Sequence, residues 1–196
     1  MASFIAFVLV PPSVPVTQRD IEEAVEQLIA PYSKWLEVPE YRKYLNDLEI
    51  NQVRWHHNIA RDDLEQIVQK LKEKDDNVEI DEKGVYRLTT RNPQGIWDSW
   101  RIGGRWDGVI QGRSRSDGEF RDNLGPEHQQ VRYNTCVASQ LPKFLQIDEL
   151  VTPDGIWHSW GVKRKPGLSS VDELEQITTL VGLYPYYTTV CIECHF

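Results

Sequence analysis

The sequence predicts an α+β fold, with a mostly antiparallel sheet and helices packed on one face of it. Three observations lead to this class. Apolar, strand-like segments lie near both ends, helical patterns follow the first of them, and short strand patterns fill the second half. At 196 residues the chain can build a hydrophobic core, and we expect a single domain, 1–196, with a helical insertion at about 46–75.

Hydrophobic periodicity predicts the first elements. Residues 4–10 are almost wholly apolar, which is typical of a buried strand. Thr17, with Asp20 three positions later, is typical of a helix start, and apolar residues then continue at helical spacing. Pro31 ends this helix. Residues 32–44 contain a further proline and are expected to be irregular.

The rest of the chain alternates between helical and strand patterns. Residues 112–125 are polar and rich in Gly, Ser and Arg, so we expect a mobile loop that is either functional or disordered. A capping box, Ser170 with Glu173, predicts the start of a late helix. The remaining predicted elements are helices at 46–57 and 62–74, and strands at 85–90, 96–102, 109–111, 147–151, 156–162 and 187–195.

One phrase occurs twice, as PQGIWDSW at 93–100 and PDGIWHSW at 153–160, and it holds four of the seven tryptophans. Each copy predicts a tight Pro-x-Gly turn followed by a strand, and hence an internal repeat of a Trp-bearing hairpin. Strand alternation would give each copy one indole on each face of the sheet. The first copy carries Asp98 where the second has His158, so paired copies would bring an acid and an imidazole together.

The first copy continues into a diglycine turn with charged and aromatic neighbours. Gly103 and Gly104 permit close approach of the backbone to another group. Guanidinium groups bind phosphate or carboxylate, and indole rings stack on flat ligands. The alternative is that the tryptophans fill a core and that the Arg and Asp side chains form surface pairs. The predicted ligand-binding residues are Trp97, Trp100, Arg101, Arg105, Trp106, Asp107, Trp157, His158 and Trp160.

The charge and hydropathy of the chain limit its partners. A net charge of −8 argues against sequence-independent binding of nucleic acid, which needs a basic surface. No segment is long and apolar enough to suggest a membrane partner, and the apolar N-terminal run lacks the basic flank of a signal peptide. We therefore expect a cytoplasmic protein.

Two of the three cysteines lie in the closing sequence Cys191-Ile192-Glu193-Cys194-His195, which matches the C-x-x-C-H pattern of haem attachment. The strand pattern there places the two thiols on opposite faces. A zinc site with Cys136 would lack a second paired motif. We expect reduced, structural thiols and no cofactor.

Several of these motifs together resemble a family of bacteriophage and bacterial proteins that has no settled enzymatic activity. The resemblance covers most of the chain. It implies a counter-defence role, such as the capture of a nucleotide second messenger made by host immunity. The motifs are Val10-Pro11-Pro12, Leu28-Ile29-Ala30-Pro31-Tyr32, Asn92-Pro93, Trp97-Asp98-Ser99-Trp100, Ile102-Gly103-Gly104-Arg105-Trp106, Leu150-Val151-Thr152-Pro153-Asp154-Gly155, Trp157-His158 and a final strand ending Cys194-His195.

Three functions fit the sequence. The first is a binding protein for a small anionic, nucleotide-like ligand, held by stacked indoles and by Arg101 and Arg105. The second is a hydrolase or phosphodiesterase in which His158 is the general acid or base, oriented by Asp98 or Asp107. The third is an interaction module that docks on a protein through an acidic helical face bearing Glu22, Glu23 and Asp62. A homo-oligomer is compatible with each.

Overall fold

A computed structural model describes residues 3–60, 63–112, 131–142, 145, 147, 149–160 and 170–196. Its helices are α1 Gln18–Ile29, α2 Asp47–His57, α3 Leu64–Lys72, α4 Val131–Asn134 and α5 Ser170–Gly182. Its strands are β1 Ser3–Val10, β2 Glu37–Tyr44, β3 Val78–Asp81, β4 Gly84–Arg91, β5 Ser99–Ile102, β6 Thr135–Val137, β7 Glu149–Val151, β8 Trp157–Ser159 and β9 Thr188–His195.

This combination of helices and mostly antiparallel strands confirms the predicted α+β class. The chain divides into two compact units. The first comprises Met1–Leu36 and Gln94–Phe196, and the second is Glu37–Pro93. The single-domain organisation therefore stays a prediction.

The sheet of the first unit has the order β5-β9-β1-β7-β8, and β6 also pairs with β9. The two apolar terminal strands are central, as their composition predicts. They are antiparallel over their whole length, from Ser3 opposite His195 to Val10 opposite Thr188. Only β1 and β7 pair in parallel among the described strands.

Helices cover both faces of this sheet. Alternate residues of β1 point to opposite sides. Val8 packs in a buried cluster with Val25 of α1, whereas Phe7 packs in another with Ile177 of α5. We call these sides the α1 face and the α5 face. The sequence had predicted helices on one face only. They lie on both faces, because β1 is apolar on both sides and each side must be covered.

Helix α1 begins and ends where the sequence predicts. The Thr17 hydroxyl accepts a hydrogen bond from the Asp20 backbone N–H at 3.2 Å, which caps the first turn. Its buried residues, Ile21, Val25 and Ile29, have no exposed area and form the predicted apolar stripe. A 3₁₀ turn at Ala30–Tyr32 then redirects the chain.

The two tryptophan phrases lie at opposite edges of the sheet. The first leads into β5 and the second into β8, and three strands separate them. At 4.8 Å per strand that spacing is about 19 Å. The internal repeat is therefore not confirmed as a pair of facing hairpins. β5 begins only at Ser99, because Trp97 is held in a separate bridge to Ser33.

Both phrases nevertheless form hydrogen bonds with the turn that follows α1. The backbone oxygen of Tyr32 accepts a hydrogen bond from the Ile96 N–H at 2.7 Å. Its hydroxyl donates to the Gly155 carbonyl at 2.9 Å and accepts from the Trp157 N–H at 3.0 Å. Tyr32 therefore links the end of α1 to one phrase through its backbone and to the other through its side chain.

Removing the Tyr32 hydroxyl should destabilise the fold. Y32F leaves the Trp157 N–H and the Gly155 carbonyl without this partner, so we expect a loss of about 1–2 kcal/mol in the free energy of unfolding. Urea denaturation measures it. Y186F is the matched control, because Tyr186 is 78% exposed and should tolerate the change. Equal midpoints for the two variants would contradict the linking role.

The second unit is a three-stranded sheet, in the order β2-β4-β3, with two helices. α2 and α3 lie in the predicted helical stretch, and Val68, Val78 and Val85 form the buried cluster. The prediction of irregular structure up to residue 44 is wrong, because residues 37–44 pair with β4. The register shifts between Glu37 and Tyr41, which accommodates the intervening proline.

Other predictions differ in detail or are not described. Residues Val109–Gln111 form a 3₁₀ turn rather than a strand, since Gly108 and Gly112 on either side have φ of 75° and 85°. Residues 113–125 of the expected mobile loop lie outside the described residues, and so do the side chains of the capping box at 170–173. Within the described ranges, no helix combines the length and apolar character that crossing a membrane requires.

Candidate functional site: an acidic groove beside an edge strand

A groove of about 630 Å³ opens between α1 and β5 in the first unit. α1 contributes two pairs of adjacent polar residues, one turn apart, which are exposed on the outer side of the helix. β5 contributes residues from the edge of the sheet. The lining residues are Glu22, Glu23, Glu26, Gln27, Trp100, Arg101 and Ile102.

The helix side of this groove is acidic. Glu22 accepts a hydrogen bond from neutral Gln18. Glu23 pairs with Arg19 at 2.9 Å, but both side chains are more than half exposed, so the pair is weak. Glu26 accepts from the indole of Trp100. The hydrogen bonds of Glu22 and Glu26 thus come from neutral groups, and the helix presents net negative charge.

Trp100 forms the aromatic wall of the groove. Its side chain packs against the cluster on the α1 face and is half-buried. Its Nε1 donates a hydrogen bond to the Glu26 carboxylate, which fixes the indole beside α1. An indole face next to carboxylates is suited to an ammonium or guanidinium group.

Among the described residues that line the groove, Arg101 is the one cation, and it is already bound to a carboxylate. Its Nε donates to Glu193 Oε2 at 2.6 Å, and its Nη2 lies 2.5 Å from the same oxygen. Glu193 lies on β9 directly opposite Arg101 and has no exposed area. A buried carboxylate needs such a partner, because burial removes the water that stabilises its charge. The Arg101 charge is thus largely offset within the fold.

Arg105 approaches the same carboxylate from the diglycine turn. Its Nε lies 3.3 Å from Glu193 Oε1, and its backbone N–H donates to Oε2 at 3.4 Å. A Cβ on Gly104 would lie 2.1 Å from Glu193 Oε2, and one on Gly103 would lie 2.5 Å from the Asn134 side chain. The close approach predicted for the diglycine turn therefore occurs, but towards residues of this chain.

The neighbouring Asp107 and Trp106 also belong to the packed fold. The Asn134 amide donates to Asp107 Oδ1 at 2.7 Å, and it accepts at 3.1 Å from the Gly108 N–H. Asn134 is fully buried, so these bonds stabilise the turn around it. Trp106 packs against the cluster on the α5 face, away from the groove.

The remaining predicted tryptophans are divided between the two faces. Trp97 is 5% exposed on the α1 face, and its Nε1 donates to the Ile29 carbonyl at 3.1 Å. Trp157 packs on the same face and donates to Glu149 Oε2 at 2.6 Å. Trp160 is 8% exposed on the α5 face. The second copy thus puts one indole on each face, as predicted, whereas both indoles of the first copy lie on the α1 face.

His158 and Asp98 are not brought together. His158 stacks on Trp160 with ring centroids 5.7 Å apart, and its Nε2 lies 3.3 Å from the Thr152 hydroxyl. Burial lowers the pKa of His158, and the charge of Asp154 opposes this. The Asp98 carboxylate lies 4.0 Å from Lys34 Nζ, beyond the opposite edge of the sheet.

These positions do not assemble the proposed acid–base pair of a hydrolase. They also do not place the predicted ligand-binding residues around one opening, since the sheet separates them and only Trp100 and Arg101 line the groove. Capture of an anionic nucleotide stays a prediction that this geometry does not favour.

The cysteines confirm the predicted division between faces. Cys191 packs in the cluster on the α5 face and Cys194 in that on the α1 face. Burial raises the pKa of both thiols far above its ordinary value. Burial raises the pKa of Cys136 to about 11. Among the described residues, no group of three or more His, Cys, Asp or Glu side chains is arranged to hold a metal ion.

The thiols should consequently be unreactive in the native protein. With 5,5′-dithiobis(2-nitrobenzoate) at pH 8, we expect slow reaction of the partly exposed Cys136 and almost none of Cys191 and Cys194, because the thiolate is the reacting form. All three should react rapidly in denaturant. C136S identifies the slow phase. Rapid modification of two thiols in the native state would contradict the buried positions.

Glu193, which binds both arginines, is not among the predicted site residues. A signal was present, because Glu193 is the only charged residue among Thr188–Cys194, and an acid inside a buried strand requires a buried partner. Glu26 was also missed. Its signal was its place one turn after Glu22 and Glu23 on the exposed side of α1.

Comparison of the chain with protein-family models, curated proteins and solved structures finds no match. Membership of the bacteriophage and bacterial family suggested by the motifs stays a prediction.

Proposed function

We propose that this protein is an interaction module whose acidic groove binds a basic segment of another protein. The observation that supports it is the composition of the groove, in which three glutamates of α1 face Trp100 of β5. Arg101, which also lines the groove, is paired with the buried Glu193. An anionic ligand would meet repulsion there, whereas Lys or Arg side chains would gain both charge attraction and an aromatic surface.

The size of the groove suits a short peptide segment rather than a whole domain. A volume of about 630 Å³ lies in the range typical of ligand-sized clefts. The proposed segment therefore inserts a few residues, with further basic side chains along α1. If the chain acts in counter-defence, as the motif resemblance implies, the partner is a host protein.

The binding test uses fluorescein-labelled dodecapeptides and fluorescence anisotropy. A peptide of alternating Lys and Thr should bind with a dissociation constant on the order of 10 µM at low salt, and an alternating Glu-Thr peptide should not bind. Affinity should fall steeply as salt screens the charges. Equal anisotropy curves for the two peptides would refute the proposal.

Matched charge reversals locate the site. E22K should weaken binding of the Lys-Thr peptide about fivefold, and E22K/E23K about twentyfold, because each reversal replaces attraction with repulsion. E175K makes the same charge change on α5, on the opposite face of the sheet, and should leave affinity unchanged. Equal losses in E22K and E175K would show an effect of net charge alone and would contradict the groove.

A further inference from the structure

The outer side of β5 carries backbone groups that no described strand pairs. β5 is the last strand in the order of the sheet, and it pairs with β9 on its other side. The Gly103 N–H donates to the Cys191 carbonyl, its direct opposite, at 2.9 Å. Hydrogen-bonded and non-hydrogen-bonded pairs alternate along an antiparallel ladder. The N–H and C=O groups of Trp100 and Ile102 therefore point away from β9, out of the edge of the sheet, and both residues line the groove.

We infer that the basic segment docks as an added β-strand along the outer edge of β5. This inference rests on the proposed function and assigns the bound conformation of the partner. Exposed strand edges take up extended peptides through main-chain hydrogen bonds, and alternate side chains give specificity. The backbone of β5 supplies the main-chain hydrogen bonds, and the neighbouring helix α1 supplies the specificity for side chains.

The geometry assigns a sequence pattern to the partner. Trp100 and Ile102 lie on the α1 face of the sheet, and Arg101 lies on the other. In an added strand every second side chain would lie on the α1 face, beside Glu22 and Glu26. Those positions take Lys or Arg. The intervening side chains would lie near Arg101, so they are neutral or acidic.

Two groups of peptides test the strand and its pattern. A dodecapeptide with six Lys and six Thr in strict alternation should bind about tenfold more tightly than one of the same composition with the six Lys grouped together, since only alternation places every Lys on one face. The second group carries backbone N-methyl groups, either on all the Lys residues or on all the Thr residues, in the alternating peptide. N-methylation removes a main-chain donor without changing the side-chain charge.

Strand addition predicts that one methylated peptide loses at least about tenfold in affinity while the other retains it, because only one set of N–H groups faces β5. Loss with methylated Lys indicates an antiparallel strand, and loss with methylated Thr indicates a parallel one. Equal affinity of both methylated peptides and of the grouped peptide would overturn strand addition and leave the proposed function standing. Failure of every basic peptide to bind would overturn both.

Discussion

G104A should lower the free energy of unfolding by about 3 kcal/mol. Gly104 has φ of +61°, a conformation that costs other residues about 1 kcal/mol. A Cβ there would also lie 2.1 Å from Glu193 Oε2 and 2.8 Å from Arg101 Nε. Both side chains are tied to each other, so neither can move without weakening the ion pair, and overpacking adds about 2 kcal/mol. Urea denaturation followed by circular dichroism measures the loss.

Gly155 provides the matched control for this change. Its φ is +77°, but no atom lies within 4 Å of the Cβ position. G155A should therefore lose only the conformational part, about 1 kcal/mol. Equal losses in the two variants would mean that Gly104 is needed only for its backbone angle, and that the turn does not press against Glu193.

The second large effect is expected for R101M, which should lower the free energy of unfolding by about 3 kcal/mol. Methionine keeps most of the side-chain volume but leaves the fully buried Glu193 with the more distant Arg105. Replacing the acid as well, in R101M/E193Q, should recover about 1 kcal/mol or more, because the uncompensated buried charge is then removed.

An exposed ion pair in the first unit provides the control for R101M. Arg19 pairs with Glu23 on α1, but its side chain is 85% exposed. R19M should leave the denaturation midpoint unchanged within error, since water replaces the lost contact. A loss in R101M no greater than that in R19M, or no recovery in R101M/E193Q, would exclude Glu193 as the main partner of Arg101.

The sequence predicted those parts of the fold that depend on local pattern. Thr17 marks the start of α1 because capping involves residues three positions apart. The opposite faces of Cys191 and Cys194 follow from strand alternation alone. The close approach at Gly104 was also predictable, because a diglycine turn tolerates contacts that a side chain would block.

The relative position of the two tryptophan phrases could not be predicted from the sequence. The two tryptophan phrases are alike in sequence, yet β5 pairs with β9 and β8 pairs with β7. Strand order depends on non-local pairing, which neither phrase encodes. The partner of Arg101 is 92 residues away on β9, so the sequence did not indicate that its guanidinium binds Glu193.

Two features that the sequence did not indicate define the groove, namely the order of the strands and the pairing of Arg101 with Glu193. Because Arg101 is paired with Glu193, the charge that faces solvent beside Trp100 comes from the glutamates of α1. The sequence contained this as the acidic-face hypothesis with Glu22, Glu23 and Asp62, of which Asp62 lies outside the described residues. It did not indicate that β5 would lie next to that helix face, because α1 and β5 are about 70 residues apart and meet only in the folded sheet.

The central claim is that the groove beside Trp100 binds cations and not anions. Two-dimensional ¹H–¹⁵N NMR with site-specific assignment tests it most directly, in parallel titrations with the alternating Lys-Thr peptide and with a cyclic dinucleotide. We predict that the peptide shifts the indole N–H of Trp100 and the backbone N–H groups of Trp100 and Ile102, while the dinucleotide shifts none of them. Shifts at Arg101, Arg105 and Trp106 with the dinucleotide, and none with the peptide, would contradict it.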